Sequence, residues 1–251
     1  MNRFFLPPES IQADLVSFPG EISHQIARVL RLLPGDTVAV LDNLGNEFQV
    51  LITVVDPKNV IGEVREKRQA DGEPSVRLTL YLCLTQREKL EWVLQKCTET
   101  GVSDFVLVVS SRSVVQDTAS TAGKMERWQR IVREAAEQCG RGRLPGLGTI
   151  MHIEEALKHG IYNNQRSLLA WEKEESQGLS AALRGLHNGE RLGLLIGPEG
   201  GLSCEEVQAA QELGWQTVSL GKRILRMETA AMVASARIIA ACEDPPYIDV
   251  D

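Results

Sequence analysis

The chain has 251 residues, a formal net charge of −7 at pH 7, 43% hydrophobic residues and 24% charged residues. These values are typical of a globular protein of one large or two modest domains, and the acidic balance argues against a protein that coats nucleic acid non-specifically. No apolar run approaches the roughly 18 residues that span a bilayer, and the N-terminus lacks the residue order of a signal peptide. We therefore expect a cytoplasmic protein with no membrane partner.

The cysteine and histidine patterns bear on disulfides and metals. The five cysteines are odd in number and widely spaced, without a CxxC pair, which argues against a disulfide framework or a zinc site. The four histidines show no ligand spacing such as HExxH. We expect no metal, and reduced thiols at Cys83, Cys97, Cys139, Cys204 and Cys242.

Residues 1–70 carry a β pattern. The runs DTVAVLD, EFQVLITVVD and NVIGEVREK are short and rich in Val and Ile, and turn-forming clusters separate them, which is typical of a small β-barrel or sandwich. The stretch ADGEP at residues 70–74 is short, polar and rich in turn formers, so it is the predicted linker. The sequence predicts a separate β domain over residues 1–70.

After the linker, strands and helices alternate. VRLTLYLCL predicts a strand, REKLEWVLQKCTET a helix closed by Gly101, and DFVLVVS the next strand. A long helix is predicted through KMERWQRIVREAAEQC, with Gly140 past its end, and later strands are predicted at SLLAW, RLGLLIG and QTVSL. This alternation predicts an α/β fold with a mostly parallel sheet, helices on both faces, and ligands beyond the carboxyl ends of the strands.

Two unusual loops follow late strands of this sheet. LLIGPEGGLS, residues 194–203, places four Gly or Pro residues around Glu199, and Ser203 and Glu206 stand at capping-box spacing. LGKRILRMETAAMVASARIIAA, residues 220–241, leads into a helix that is apolar on nearly all sides until Arg237, so we expect burial against both the sheet and another subunit. Neither loop ends in the Lys-Ser/Thr of a P-loop, so the two predict a pocket for a nucleoside and a short zwitterion.

The segment from Arg112 to Arg143 is locally basic. It carries seven basic and four acidic residues, a local excess of three inside an acidic protein. This predicts a phosphate-facing surface, and an ordinary solvated face is the alternative. The basic residues are Arg112, Lys124, Arg127, Arg130, Arg133, Arg141 and Arg143.

Four motifs in chain order carry a resemblance to a known family. LQKCTETGVSDFVLVVSSRSV, ERWQRIVREAAEQCGRGRLP, LLIGPEGGLS and LGKRILRMETA resemble successive motifs of RsmE-type 16S rRNA uridine N3-methyltransferases, which belong to the SPOUT class. The resemblance covers nearly the whole chain, including HQIARVLRLLPGD at residues 24–36. One departure is Thr100, at a predicted helix end, where the family motif TELGV usually has Leu.

The resemblance implies an architecture and partners. It implies a PUA-like, RNA-binding β-barrel over residues 1–70 and a SPOUT methyltransferase domain over residues 74–245 that contains a deep trefoil knot. It also implies a homodimer, S-adenosylmethionine as the methyl donor, and small-subunit ribosomal RNA as the substrate, either naked or within the assembled subunit. Knots are almost absent from proteins, so the strand and helix pattern alone would not predict one.

The same resemblance implies a cofactor site. The cofactor would be wrapped by the GPEGG loop, by the segment Leu220–Ala230 and by the end of the SLLAW strand near Leu169. The expected cofactor-binding residues are Leu169, Gly197, Pro198, Glu199, Gly200, Gly201, Leu220, Gly221, Ile224, Leu225, Arg226, Glu228, Thr229 and Ala230.

The implied chemistry suggests further roles. Methylation of uridine N3 needs loss of the imide proton and puts negative charge on the base carbonyls, which a guanidinium can stabilise. Arg226 is therefore the predicted catalytic residue, an Arg of the basic segment reaching across the dimer is the second candidate, and a structural ion pair between Arg226 and Glu228 is the alternative. RNA contacts are expected at His24, Arg28, Arg31, Arg112, Gln138, Arg141 and Arg143.

Two other functions remain open from the sequence. Cofactor loops do not encode the methylated atom, so a SPOUT methyltransferase acting on another atom, such as a ribose 2′-hydroxyl, is one alternative. A non-catalytic RNA-binding protein that kept the nucleoside pocket is the other. N3 lies on the Watson–Crick edge of uridine, so methylation there requires an unpaired or flipped base.

Overall fold

The computed structural model describes residues 1–116 and 122–243. By contacts, the chain divides into two compact units. Unit 1 comprises Met1–Glu73 with Arg133–Leu144, and unit 2 comprises Pro74–Val132 with Pro145–Asp251. Residues 244 and 245, the end of the predicted second domain, lie outside the described residues.

Unit 1 is built on a six-stranded sheet. Its strands are β1 (Arg3–Phe5), β2 (Ile11–Gln12), β3 (Leu15–Phe18), β4 (Thr37–Leu41), β5 (Asn46–Val54) and β6 (Val60–Gln69), in the order β1-β4-β5-β6-β3-β2. All pairs are antiparallel except β1 with β4. Alternate residues such as Val38, Val40, Val50 and Ile52 point into one apolar core. The three strands predicted in this part of the chain are confirmed as β4, β5 and β6.

A short helical segment links β3 to β4. Helix α1 (Gly20–His24) runs directly into a π-helix at Gln25–Leu30, and Arg31 after it has a left-handed backbone with φ +54°. Ile26 anchors the segment in the core of the sheet. A 3₁₀ turn lies at Pro8–Ser10, between β1 and β2.

The predicted linker at residues 70–74 does not separate the two units completely. Residues 133–144, which follow the linker in the chain, pack within unit 1. They include the end of helix α3 (Ala122–Cys139) and the loop after it. Ala136 is buried with Phe5 and Leu41. Both backbone polar groups of Phe5 bond to α3. Its N–H donates to Glu137 Oε1 at 3.1 Å, and its carbonyl accepts from Arg133 Nη1 at 3.1 Å.

Unit 2 contains an all-parallel sheet. Its strands are β7 (Arg77–Cys83), β8 (Asp104–Val109), β9 (Gly146–Leu147), β10 (Met151–His152), β11 (Arg166–Ala170), β12 (Arg191–Ile196) and β13 (Gln216–Val218). The order is β10-β8-β7-β12-β11-β13, and β9 also pairs with β8. The prediction of a parallel sheet is confirmed.

The helices of unit 2 cover both faces of this sheet, as predicted. Alternate residues of β7 show the two faces, because Leu80 and Leu82 join one core and Tyr81 and Cys83 join the other. The first core includes residues of α2 (Arg87–Glu99), α3, α5 (Leu179–Ala182) and α7 (Met227–Glu243). The second includes residues of α4 (Ile153–Asn163) and α6 (Cys204–Leu213). No helix in the described part of the chain could span a membrane.

Two helix ends follow the predictions from sequence. Helix α2 is capped by Thr100, whose Oγ1 donates to the carbonyl of Cys97 at 3.1 Å, and Gly101 follows with φ +106°. The left-handed φ is one that glycine adopts without strain. At the start of α6, Ser203 and Glu206 form the predicted capping box.

Helix α7 is only partly buried within one chain. Ala230, Ala234 and Ile238 lie in the core, whereas Ala236 is exposed and Met232 is half-buried. The predicted burial on nearly all sides is therefore incomplete in the single chain. The reason is geometric, because one sheet covers one side of a helix and leaves the opposite side open.

Candidate active site

A pocket of about 610 Å³ lies at the carboxyl ends of β11, β12 and β13, where the parallel sheet was expected to bind a ligand. Cofactor and small-molecule sites commonly enclose roughly 300–1,000 Å³. The pocket is lined by Lys89, residues 170–172, residues 196–202, residues 219–228 and Ala230. The two unusual loops of the sequence thus come together in space.

Most residues predicted for the cofactor site line this pocket, and two do not. The lining residues from the prediction are Gly197, Pro198, Glu199, Gly200, Gly201, Leu220, Gly221, Ile224, Leu225, Arg226, Glu228 and Ala230. Leu169 is fully buried inside the sheet, where it pairs with Leu195 and Thr217, so the next residue, Ala170, is the first of its strand to reach the pocket. Thr229 is also absent from the wall, because each helical step turns the side chain by about 100°.

The GPEGG loop is folded tightly on itself. The N–H of Gly201 donates to the carbonyl of Pro198 at 2.9 Å, and Gly201 has φ +68°. A Cβ on Gly197 would lie 3.1 Å from Leu202 Cγ, and a Cβ on Gly201 would lie 3.1 Å from Glu172 Oε1. A side chain at either position would therefore crowd the loop or its neighbour, and the left-handed φ of Gly201 is one that glycine adopts without strain.

Glu199, the only carboxylate of the GPEGG loop, reaches the start of α2. Its Oε1 accepts hydrogen bonds from Thr85 Oγ1 and from Lys89 Nζ, the latter at 3.0 Å. Burial raises the pKa of Glu199, but the hydrogen bonds from Thr85 and Lys89 outweigh this effect and lower it. Lys89 and Thr85 were not predicted as site residues, and nothing in their local sequence distinguishes them from ordinary helix and loop positions.

The wall formed by the loop after β11 is fixed by Glu174. Its Oε1 accepts from Ser176 Oγ at 2.5 Å and from the backbone N–H of Ser176 at 2.8 Å, and its Oε2 accepts from Thr217 Oγ1 at 2.5 Å. Hydrogen bonds from Ser176 and Thr217, in that order of effect, lower the pKa of Glu174 to about 2. The loop that carries Trp171 and Glu172 is thereby held in place.

Two buried polar atoms on the pocket wall have no hydrogen-bond partner among the described residues. They are Nε1 of Trp171, a donor, and Oε2 of Glu228, an acceptor. Buried polar atoms are nearly always paired in folded proteins, so these two point to a ligand with both an acceptor and a donor. A nucleoside with an amino acid tail carries both kinds of group, so the pocket fits such a cofactor.

The mouth of the pocket carries exposed charges of both signs, because Glu172 and Glu199 line it as well as three cations. Lys222, Arg223 and Arg226 are exposed and lie on the wall, next to Ile224, which is 85% exposed. The guanidinium of Arg226 makes no hydrogen bond or ion pair with any residue that the structure describes, including Glu228. The alternative prediction, a structural ion pair between Arg226 and Glu228, is therefore wrong.

Several predicted RNA-contact residues lie on the surface of unit 1. His24, Arg28, Arg31 and Gln138 are exposed. The first three do not follow one regular α-helix, because Arg28 lies in the π-helix and Arg31 after it has a left-handed backbone. Arg143 is also exposed, and its Nη2 donates to the carbonyl of Leu44 at 2.8 Å.

Arg141 was predicted to contact RNA, but the structure buries its side chain. Its side chain is only 3% exposed and forms a paired hydrogen bond with Glu73, from Nε to Oε1 at 3.0 Å and from Nη2 to Oε2 at 2.9 Å. The same carboxylate accepts from the backbone N–H groups of Gly142 and Arg143, each at 3.0 Å. Arg141 therefore organises the chain after α3 and has no free surface for phosphate.

The predicted basic surface between Arg112 and Arg143 is smaller than its charge count suggests. Arg127 donates from Nε and Nη2 to the two oxygens of Glu91, at 2.6 and 2.8 Å. Arg133 donates to the backbone carbonyl of Phe5. Arg112, which was predicted to contact RNA, is exposed and donates from Nη1 to the carbonyl of Gly200 at 3.2 Å. Arg112 thus contacts the wall of the pocket through Gly200.

Metal ligation finds no support in the described part of the chain. No group of three or more His, Cys, Asp or Glu side chains comes together there in a way that could hold a metal ion. The five cysteines are free thiols.

Sequence and structure comparisons identify relatives along nearly the whole chain. A profile of RNA methyltransferase domains matches residues 72–239, and a profile of RNA methyltransferase PUA domains matches residues 18–65. The ribosomal RNA small subunit methyltransferase E of Bacillus subtilis is 33% identical over 95% of this chain and 96% of its own.

Solved structures give the same result. The ribosomal RNA small subunit methyltransferase E of Neisseria gonorrhoeae, bound to S-adenosylmethionine, superposes with a TM-score of 0.86 and 31% identity, over 96% of this chain and 98% of its own. A Legionella pneumophila protein in complex with the bound cofactor SAM superposes with a TM-score of 0.81 and 27% identity, over 96% and 97% of the two chains. The chain has an N-terminal PUA-like domain and a C-terminal parallel sheet, and it belongs to the RsmE family of ribosomal RNA small subunit methyltransferases.

Proposed function

We propose that this protein transfers a methyl group from S-adenosylmethionine to N3 of a uridine in small-subunit ribosomal RNA. The observation that carries the proposal is the pocket at the carboxyl ends of β11, β12 and β13, with Trp171 Nε1 and Glu228 Oε2 unpartnered among the described residues and with the guanidinium of Arg226 on its wall. Membership of the RsmE family and the cofactor found in the Neisseria gonorrhoeae relative support the same assignment.

The residues of this chain that would hold the cofactor follow from the groups they present. Trp171 Nε1 would donate to an acceptor of the nucleoside, and Glu228 Oε2 would accept from a hydroxyl or an ammonium group. Leu225, half-buried on the wall, offers apolar surface for the base. When bound, S-adenosylmethionine supplies a methyl group on a positively charged sulfur, which is electrophilic.

The same wall would serve the uridine. Loss of the N3 proton leaves negative charge on the base, which two carbonyl oxygens share, and a cation at those oxygens stabilises it. Arg226 carries a guanidinium on the wall with no partner among the described residues, so its donors are available for this role. The target uridine would be unpaired or flipped to present N3.

We propose that the two parts of the chain have different functions. Residues 1–70 would bind RNA through the exposed His24, Arg28 and Arg31, with Gln138 and Arg143 adding to that surface. Residues 74–245 would form the methyltransferase domain, with the chain threaded as the deep trefoil knot implied by the family resemblance. The protein would act in the cytoplasm, where ribosomal subunits are made, on naked RNA or on the assembled subunit.

A homodimer is also proposed. Its support is the open side of α7, where the exposed Ala236 and the half-buried Met232 would be covered by a second copy. Such an interface should bury at least ~1,000 Å² in total. Light scattering at micromolar concentration should give twice the mass of one chain, and a fully active monomer would overturn the proposal.

Nucleoside analysis tests the reaction directly. Ribosomal RNA from a strain without this protein should lack one 3-methyluridine in the small subunit, and purified protein with S-adenosylmethionine should restore it. Comparing naked RNA with assembled subunits as substrates identifies which of the two is methylated. Loss of a 2′-O-methylated nucleoside instead, or no change in any nucleoside, would contradict the assignment.

Trp171→Phe tests the cofactor contact at the unpartnered indole. The substitution keeps an aromatic ring on the wall but removes the N–H donor, so affinity for S-adenosylmethionine should fall by about 1 kcal/mol, roughly fivefold. Isothermal titration calorimetry measures the change. Trp92→Phe is a matched control, because Trp92 lies on α2 away from the pocket wall. Equal affinities of both variants for the cofactor would mean that Trp171 Nε1 does not contact it.

A further inference from the structure

Among the described residues, Lys89 is the one cation of the pocket wall that forms an ion pair with another wall residue. It is the third residue of α2, and its ammonium lies 3.0 Å from Glu199 Oε1. Arg226, by contrast, has no partner among the described residues, and Lys222 and Arg223 are exposed at the mouth. Lys89 is 35% exposed in its side chain, so it is half-buried and open to the pocket.

The geometry points to Lys89 as a further catalytic residue, which donates a hydrogen bond to a carbonyl oxygen of the target uracil and stabilises the uracil anion. This inference rests on the proposed methylation of uridine N3. Glu199 and Thr85 are then positioning residues, which act on the substrate through Lys89.

The arrangement of donors around Glu199 supports this role. Thr85 and Lys89 both donate to the same oxygen, Oε1, which ties the GPEGG loop to the start of α2. An ammonium has three donors and this contact uses one of them, so Lys89 keeps donors for a ligand in the pocket. A charged donor held in place before the reaction stabilises developing charge better than a mobile one, because no reorganisation is needed.

The charge on Glu199 makes the pair suitable for this task. The hydrogen bonds from Thr85 and Lys89 outweigh burial and lower the pKa of Glu199, so it stays ionised at neutral pH and keeps the ammonium in position. The ion pair is close to neutral as a whole, so it is tolerated at a half-buried site. When the uracil becomes an anion, the ammonium can serve both the carboxylate and the base.

The chemical step shows why the cation matters. Uracil N3 gives its proton to water or hydroxide, and the electron pair left on N3 is shared with the carbonyl oxygens at C2 and C4. That pair forms the new bond to the methyl carbon as the bond from carbon to sulfur breaks and the sulfur becomes neutral. A cation at a carbonyl oxygen lowers the pKa of N3 in the complex, so more of the bound uridine is ionised at neutral pH.

The experiment compares Lys89→Met with the unaltered protein on two RNAs. One is a small-subunit RNA transcript with uridine, and the other is the same transcript made with 5-fluorouridine, whose fluorine lowers the pKa of N3. On the uridine transcript, single-turnover methylation at neutral pH should be about 10- to 100-fold slower for Lys89→Met, as expected for loss of a charged hydrogen bond. The deficit should shrink on the fluorinated transcript, because that base ionises with less help.

The pH profile is a second readout that a structural role would not change. Without Lys89 the bound uridine ionises at higher pH, so the rate for Lys89→Met should keep rising with pH beyond the point where the unaltered protein levels off. The other charged groups on the pocket wall are the same in both proteins and cannot cause this difference. They are Glu172, Glu199, Lys222, Arg223, Arg226 and Glu228.

Controls separate the inference from the proposed function. Lys96→Met removes another half-buried lysine of α2, which pairs with Glu99 at 2.8 Å, and should leave the rates unchanged. Equal deficits on both transcripts, or a weaker affinity for S-adenosylmethionine in calorimetry with an unchanged pH profile, would overturn the role of Lys89. If the unaltered protein makes no 3-methyluridine, the proposed function itself fails.

Discussion

Arg226→Ala should slow methyl transfer by roughly 10²- to 10³-fold, about 2.7–4 kcal/mol, as loss of an oxyanion-hole donor does in other enzymes. Arg226 stands directly before α7, lies on the pocket wall, and has no hydrogen bond or ion pair with any described residue. Its guanidinium is therefore free to meet the negative charge that forms on the uracil. Affinity for the cofactor should change much less than the rate.

Single-turnover rates on folded, cofactor-saturated protein measure this effect. Arg226→Lys should restore only part of the rate, because a compact ammonium lacks the planar fork that can meet two acceptors together. A wild-type rate for Arg226→Ala would end the catalytic assignment. Since Arg226 makes no ion pair with Glu228, thermal stability should not fall in parallel with activity.

Glu73→Ala should destabilise unit 1 by about 3 kcal/mol, because it leaves a buried guanidinium without its counter-charge. Arg141 is 3% exposed and makes two hydrogen bonds to this carboxylate, and two backbone N–H groups depend on it as well. Stability is expected to fall more than for a typical point substitution, since a buried charge and two backbone donors lose their partner together.

Urea unfolding followed by circular dichroism measures the loss. Glu63→Ala is the matched control, because Glu63 pairs with Arg65 in the same unit at 2.9 Å while both side chains are about half exposed, and such surface pairs contribute at most about 1 kcal/mol. If Glu73→Ala and Glu63→Ala lower the urea concentration at the unfolding midpoint equally, the pairing of Arg141 with Glu73 does not stabilise unit 1.

The strands and helices that could be predicted are those with strong local patterns. β5 and β6 are 9 and 10 residues long and each carries Val and Ile, and the capping box at Ser203 is fixed by residues only three positions apart. β1 has three residues and is held by a parallel pairing with β4, whose sequence lies more than thirty residues away. A strand of that kind leaves almost no local pattern.

The site shows the same limit. The two loops of the pocket could be predicted because glycines and apolar residues in loops are unusual. Lys89 could not, since a lysine on an amphipathic helix resembles any solvated cation, and its partner Glu199 is 110 positions away. Arg141 was misjudged for the same reason, because the carboxylate of Glu73 that buries it lies 68 positions earlier in the chain.

The order of strands in unit 2 has a consequence for synthesis on the ribosome. β12 lies in the middle of the sheet, between β7 and β11, yet residues 84–190 separate it from β7 in the chain. While the chain grows from its N-terminus, the edges of β7 and β11 that pair with β12 therefore stay unpaired. They can pair only after residue 196 has left the exit tunnel. Exposed strand edges are sites of association between chains. The edge of β7 that pairs with β12 thus stays open to association with neighbouring chains for nearly half of translation, and the sheet can close only in the last quarter of the chain.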